Sequence, residues 1–594
     1  MRKFACRVSM LLGCAAVAVA MPAASAQVGM TTQHNDVLRT GLQLDTHLTT
    51  ANVSNQFGKL FTRVLPDGPH PSPGLKQRIY AQPLVDTLPN GKSIVIVATD
   101  FNMVFAFDAT DPAAGAPIWS ADLGPQEVAA NGDWPDANCN NSLPAAGVLG
   151  TPVIEWHQLN IPNRKLFTSH ALFVVSKNRA QVGDIKSHTV SFRIHKLDVA
   201  TGAEIATSAL PQNALAGFDP YLQMQRPGLV FIDQSNAVGG GFVYAAFAAH
   251  CDSAPYHGWV IGFDGNLAQQ VAAFNTSADG GGAGIWQAGQ APIWFRSQKD
   301  AADYLILSTG NDGSNKAKLS ESVLKLKVGA GGDLSLADSF TPYNQTFLNS
   351  CDGDLAAAGP TMLRDLRHIV TGGKQGVLYV LDVLKLGHGQ SAETPPLPTD
   401  CVNAGYGIIG PSYNGLTWNP NGDAVVQEFA AAKGHLHGSP VSATGQDLKR
   451  RIYIWSEEDH LKAFTQLASG KLGTAPAVNM SVAIVSGMPG GILSLSSKPG
   501  NAGDVIVWAT HPLADAFVPT GPVQGVLYAF NGADVTKLLW SSAMTPGDAL
   551  GEYPKFTPPT IANGHVYAAT FEGKLEVYGL LAKPKIKIRL PGPK

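Results

Sequence analysis

YAQPLVDTLPNGKSIVIVATDFNMVFAFDATDPAAGAPIWSADL, residues 80–123, holds four short apolar runs separated by turn residues. A Pro-led run comes first, YAQPLV; SIVIVATD is β-branched and ends in a polar loop; MVFAFDATD closes on aspartate; PIWSADL completes the set. Apolar or alternating runs of four to eight residues bounded by Gly, Pro, Asn and Asp are strand signals, so the stretch predicts a four-stranded unit.

Working outward, the unit returns. Further copies open at GTPVIE (Gly150), RPGLVF (Arg226), QAPIWF (Gln290), AGPTML (Ala358), GSPVSA (Gly438), GGILSL (Gly490) and TPPTIA (Thr557), which makes eight starts. Returns at roughly 40 to 60 residues are the signature of solenoids and propellers. The last copy ends at LEVYGLL without a fourth strand, while FGKLFTRVLP stands unassigned before the first. The expected fold is therefore all-β: a single β-propeller of about eight four-stranded blades, the last closed by the N-terminal strand, which hides the edges an open sheet would expose. The chain divides into 1–26, a signal peptide; 27–56, a lead segment; 57–581, the propeller; and 582–594, a tail.

Composition agrees. Charged residues make up only 15% of the 594, while 63 Gly and 40 Pro supply turns, the balance of a turn-rich β protein. A net charge of -3 gives no broad field for phosphate backbones or anionic lipid, so no nucleic-acid or membrane-surface partner is expected. Arg2 and Lys3, the apolar stretch from Met10 to Met21, and Ala24-Ser25-Ala26 read as a secretory signal with an A-x-A cleavage site. Leu11-Leu12-Gly13-Cys14 also resembles a lipidation box. No later segment reaches the roughly 18 apolar residues of a spanning helix, and the expected location is periplasmic or secreted. Cys139, Cys251, Cys351 and Cys401 remain in an oxidising compartment where pairing is expected. Four cysteines allow three connectivities; Cys139 with Cys251 and Cys351 with Cys401 is preferred because it closes loops between neighbouring blades.

LDVATGAE, FDATDPAAGAPIW and VLYAFNGADVTKLLW resemble the A-x-D-x-x-T-G-x-x-x-W repeats of pyrroloquinoline-quinone (PQQ) type propellers, and the likeness covers most of residues 57–581. HCDSAPYHGW, WSEEDHLKAF, SGMPGGILSLS and YPKFTPPTIANGHVYAATFEG resemble an exported bacterial branch of that quinoprotein dehydrogenase-like superfamily. The superfamily includes quinone-dependent dehydrogenases, a tetrathionate hydrolase and non-catalytic assembly scaffolds, so fold alone selects no activity.

In such a ring the loops joining second to third strands, and one blade to the next, surround the axis on one face. The second-to-third turns offer Asp100, Lys177, His250, Asp312, Lys374, Glu457, His460, His511 and Glu572, and the inter-blade loops add Trp286, Asp354, His435, His437, Met488 and Lys555. Polar loop tips are common because they are wet, so the set carries more than any member. The resemblance implies PQQ, with Ca²⁺, over the funnel. Trp286 would be its aromatic platform, Lys177 and Lys374 the partners of its carboxylates or quinone oxygen, and Asp100, His250, Asp312, Glu457 and His460 the candidate acids and bases. Glu457, Asp459, His460, His435 and His437 also carry the donor types of a metal site. The adjacent-cysteine pair found beside PQQ in many alcohol dehydrogenases is missing, as is a cytochrome domain, so a separate electron acceptor is implied. Three readings stay open: an exported quinoprotein-like oxidoreductase of small substrates; a cofactor-free propeller hydrolase using the same ring; and a scaffold whose face binds a protein partner. No G-x-S-x-G elbow, H-E-x-x-H helix or phosphate loop occurs.

Overall fold

The first unit folds as its pattern dictates. Leu84–Thr87, Ser93–Ala98, Met103–Asp108 and Trp119–Asp122 form an antiparallel sheet in chain order, here blade 1 with strands a to d. Its b and c strands are buried on both faces and d is partly exposed, because a blade is packed between two neighbours and meets solvent only at its rim. The computed structural model describes residues 29–582 apart from 46, 130–132, 134–143, 162–163, 180–189, 235–236, 251, 390–411, 414–415, 418, 499–503 and 517–522.

Blades 2 to 7 repeat the meander, their a strands being Val153–Ile161, Val230–Asp233, Ile293–Arg296, Thr361–Met362, Val441–Thr444 and Ile492–Ser497. Blade 8 supplies only Thr560–Ala562, His565–Ala569 and Lys574–Leu580, and its fourth strand is Phe57–Val64, paired antiparallel from Phe57 with Leu580 to Val64 with Lys574. The closure expected from the sequence is thus present. The core is a series of apolar layers, each shared by neighbouring blades. One unites Val577 and Tyr567 of blade 8 with Phe105 of blade 1 and Leu172 of blade 2. The layers continue between neighbours around the ring to Trp508 and Val566, which join blades 7 and 8. Polar ties cross the same seams: the Tyr567, Tyr244 and Tyr453 hydroxyls donate to carbonyls of Ala109, Gly332 and Gly532 on the next blade.

Residues 29–45, read from sequence only as a lead segment, run through the axis. Their backbone exchanges hydrogen bonds with a strands of blades 1, 2, 4, 5, 6 and 7: Met30 with Val85, then Thr31, Val37, Leu38, Thr40 and Gly41 accepting from Ile154, Trp294, Met362, Ser442 and Leu495. Leu42–Leu44 adds a parallel strand to blade 7. His34 reaches three blades at once, through Gln82, Gln290 and the Leu493 carbonyl. Arg39 is fully buried; its Nη1 donates to Thr32 Oγ1 and the Gln33 and Asp36 carbonyls, and its Nε to the Pro292 carbonyl. The innermost strands have polar groups that no neighbouring strand can satisfy, and this polar segment supplies partners for them.

Cys139, Cys251 and Cys401 fall outside the described residues, as do the signal segment and residues 583–594 of the tail. No helix among the described residues is long and apolar enough to cross a membrane.

Candidate functional site

The richest polar cluster forms where blades 4 and 5 meet. Lys374 sits on the b–c turn of blade 5, between His368–Gly372 and Val377–Asp382. Its Nζ lies 2.7 Å from both Asp352 Oδ2 and Asp354 Oδ2, and its backbone N–H donates to the Asp354 carbonyl. Asp354 Oδ1 accepts from the Asn311 N–H at 2.9 Å. Burial opposes ionisation of Asp354, but Lys374 and the Asn311 amide outweigh it and hold the carboxyl below its ordinary range. Its neighbours go the other way: burial and then the charge on Asp354 push Asp352 to about 7, Asp252 to about 6, and Glu321 well above the carboxylate range. Four carboxyls around one lysine therefore differ in protonation. Lys374 and the Asn311 amide favour the charged form of Asp354, burial and that charge favour the protonated form of Glu321, and Asp352 lies between them.

Trp286 borders this cluster. It lies in the GGAGIWQAG loop entering blade 4 and is half-buried. A Cβ added to Gly310 would stand 2.5 Å from Asp354 Oδ1 and 3.4 Å from Trp286 Cδ1, so only glycine leaves room for both there. Trp286 also packs against the apolar cluster of Tyr80, Ala146, Leu149, Met224 and Phe571. Through Tyr80 the site continues to a cationic wall. Arg226 is fully buried, with its guanidinium 5.8 Å from the ring centroids of both Tyr80 and Phe556, and burial lowers its pKa to about 10. Nη1 donates to the Leu149 carbonyl, whereas Nη2 has no hydrogen-bond partner. Lys555 lies 5.2 Å over Phe556 and is lowered to about 8 by burial. His437 packs 5.5 Å from Phe556 and 5.7 Å from His435, and Glu457 contacts both imidazoles.

The site residues expected from sequence have different surroundings. Lys374, Trp286 and Glu457 belong to the chain of contacts just described. Asp100 joins it beside Tyr80: Oδ1 accepts from the Arg78 N–H at 2.7 Å, Oδ2 is buried without a partner, and burial raises the carboxyl to about 8. Lys177 and His250 instead share a buried network, with Lys177 Nζ 2.8 Å from Glu127 Oε2, 2.9 Å from His250 Nδ1 and donating to the Gln223 carbonyl. Asp312 uses its carboxylate to accept from the N–H groups of Ser314, Lys316 and Ala317 in its own loop. His460 is half-buried one residue beyond Asp459, whose carboxylate is held by Lys462. Arg226 and the acid–base position of Asp354 were missed. Arg226 had a signal: RPGLVF begins on arginine where GTPVIE, AGPTML and GSPVSA begin on a small residue.

No family model matches the chain, and no curated protein matches it in sequence. Among solved structures it is similar to a quinohemoprotein alcohol dehydrogenase from Pseudomonas putida HK5, at 11% identity and TM-score 0.52 over 96% of this chain and 82% of that one. It is also similar to the quinohemoprotein alcohol dehydrogenase from Comamonas testosteroni, at 15% identity and TM-score 0.49 over 96% and 84% of the two chains, and to BamB from Moraxella catarrhalis, at 11% and 0.42 over 88% and 100%. The first of these likenesses supports a PQQ-like eight-bladed propeller as the class of fold, and identities this low speak of fold alone.

Proposed function

We propose that this chain is an exported quinoprotein-like oxidoreductase that binds PQQ at the axial funnel and acts on a small substrate bearing a hydroxyl or aldehyde. The observation that carries the reading is the Lys374–Asp354 ion pair beside Trp286, with the partnerless guanidinium edge of Arg226 across the same aromatic cluster. PQQ is flat and carries three carboxylates, and the residues present fit it. Trp286 would be a half-buried platform, buried Arg226 and half-buried Lys555 the cations for carboxylates, and Lys374 a donor for a quinone oxygen. Asp352, Asp354 and Glu321 are the oxygen donors Ca²⁺ takes. When bound, PQQ supplies the two-electron sink.

The chain's own groups manage the proton. Asp352, pushed up to about 7 by burial and the charge on Asp354, is suited to accept it from a substrate hydroxyl, while the Lys374–Asp354 ion pair holds its surroundings in place. Export, the disulfides and a separate electron acceptor are part of the same proposal and rest on the sequence.

Titration of the protein with PQQ and Ca²⁺, combined with a dye-linked screen of alcohols, aldehydes and sugars, tests it. Trp286→Ala should weaken binding by about 2- to 12-fold, the worth of an aromatic contact. Arg226→Met should weaken it by roughly 10- to 150-fold, the worth of a hydrogen bond to charge. Failure of the wild type to bind PQQ would overturn the proposal and leave the hydrolase and scaffold readings.

A further inference from the structure

A second set of donors converges at the mouth of blade 6. His435 and His437 stand two apart in GHLHGSP, leading into strand a, and Glu457 stands on the b–c turn just after Arg450–Ile454. The Glu457 N–H donates to the His435 carbonyl at 2.9 Å, which fixes the turn against the loop. One ligand atom from each of the three side chains lies within 4.8 Å of the others. Glu457 Oε1 is 3.0 Å from His437 Nε2, and Oε2 is 3.4 Å from His435 Nδ1.

Proximity has not produced hydrogen bonds at the atoms that matter. Nε2 of His435, Nε2 of His437 and Oε1 of Glu457 are all buried without a hydrogen-bond partner. Buried polar atoms in native proteins are nearly always satisfied, and a cation held between the two imidazoles and the carboxylate would satisfy those that face it. The side chains are 10%, 6% and 8% exposed, so the group is shielded from bulk water yet not sealed.

We propose that His435, His437 and Glu457 bind one divalent transition-metal ion of the borderline type, represented by Zn²⁺, with at least one coordination position left for water or a substrate oxygen. Two imidazoles and a carboxylate are the donors of such ions, and three protein ligands rather than four is the pattern of a site that keeps an open position. Ca²⁺ takes six to eight oxygens and does not suit this set. Around an ion at about 2.1 Å from each donor, tetrahedral ligands stand roughly 3.4 Å apart, so the trio has little over an ångström to close. The neighbouring cations do not forbid it. Lys374 is already paired with Asp352 and Asp354, and Lys555 feels the opposing charges of Asp515 and Glu457.

The site is independent of quinone binding and is tested without it. Full-length protein is stripped with a chelator and titrated with Zn²⁺ against a chromophoric competitor, then with Co²⁺ while its visible absorption is followed. One equivalent per chain should bind at micromolar concentration or tighter, with the strong bands of four- or five-coordinate Co²⁺ and no competition from millimolar Ca²⁺. Glu457→Gln and His437→Gln, checked for folding by melting, should each weaken binding at least 100-fold. Absence of stoichiometric Zn²⁺ binding by the wild type overturns the assignment whatever the variants do. So does unchanged affinity in a folded Glu457→Gln protein, or displacement by equimolar Ca²⁺.

Discussion

Replacing Lys374 by methionine isolates the centre of the carboxyl cluster, because the side chain keeps much of its volume and loses its charge. Two contacts of 2.7 Å go with it, and Asp252 and Glu321 remain nearby. Removing one partner of a buried ion pair costs about 3–5 kcal/mol. The lower end applies here, since Asp352, pushed up to about 7, can absorb part of the loss by taking up a proton. An unfolding entropy of about 2.1 cal/mol/K per residue gives a ring of roughly 550 residues about 1.2 kcal/mol/K, so ~3 kcal/mol lowers Tm by only ~2–3 °C. Urea unfolding followed by tryptophan fluorescence is the better assay. The loss should also depend on pH. Lys374 has a raised pKa, so its contribution is complete below its unfolded value near 10.5 and disappears only above it. Asp352 and Asp252 have raised pKa values, about 7 and 6, so the native state binds more protons than the unfolded one between about pH 4 and 7 and their effect lowers stability as pH rises through that window. Without Lys374 that window widens upward. The difference between wild type and Lys374→Met should be smaller at pH 4.5, where the carboxyls left without their lysine can take up protons, than at pH 8. Equal stability at pH 8, or a difference independent of pH, would refute the view that Lys374 organises the cluster.

Arg39→Met should destabilise the ring by about 3–5 kcal/mol, because four buried hydrogen bonds to a charged group are lost together; a denaturation midpoint unchanged from wild type would show that the axial segment is not integral to the fold. Asp100→Asn should remove a pH dependence: with its carboxyl raised to about 8, Asp100 makes the wild type lose up to ~1.4 kcal/mol per pH unit between about pH 4 and 8, and the two stability curves must converge at the acid end if this is right. Thiol labelling of the folded protein, denatured without reductant, should find none of Cys139, Cys251, Cys351 and Cys401 reactive; four reactive thiols would reject both bridges, and two would leave one.

The fold was legible because a propeller repeats a local pattern. Strand, turn and strand are contiguous in each copy, and even the long-range step, Phe57–Val64 completing blade 8, left a trace as one strand too many at the start and one too few at the end. Residues 29–45 left none. TTQHNDVLRTGLQ looks like a polar loop, and its burial depends on hydrogen-bonding groups supplied by six blades spread along the whole ring, from Val85 to Leu495. The same limit governed the site. Asp312 is followed by Gly, Ser and Asn, a local turn composition, and its carboxylate binds its own loop. Glu127, which takes the charge of Lys177, comes from a segment beyond blade 1 that has no counterpart in the repeat.

Lys177 and Lys374 show what decides function on a ring of similar tips. Both stand near the b–c turn of their blades; Lys177 is buried and Lys374 largely so, its side chain 13% exposed. Around Lys177 burial wins: Glu127, His250 and backbone carbonyls surround it, and its pKa falls. Around Lys374 two carboxylates win: the loop from Gln345–Ser350 into blade 5 brings Asp352 and Asp354 to 2.7 Å, and its pKa rises. The blade strands are alike, so the difference originates in the connections between blades, which the repeat does not constrain. Those connections also carry Trp286, His435, His437 and Lys555, while Arg226 stands at the first position of its copy, on the threshold of blade 3. The surroundings that set one b–c turn apart from another therefore come largely from where one copy passes to the next.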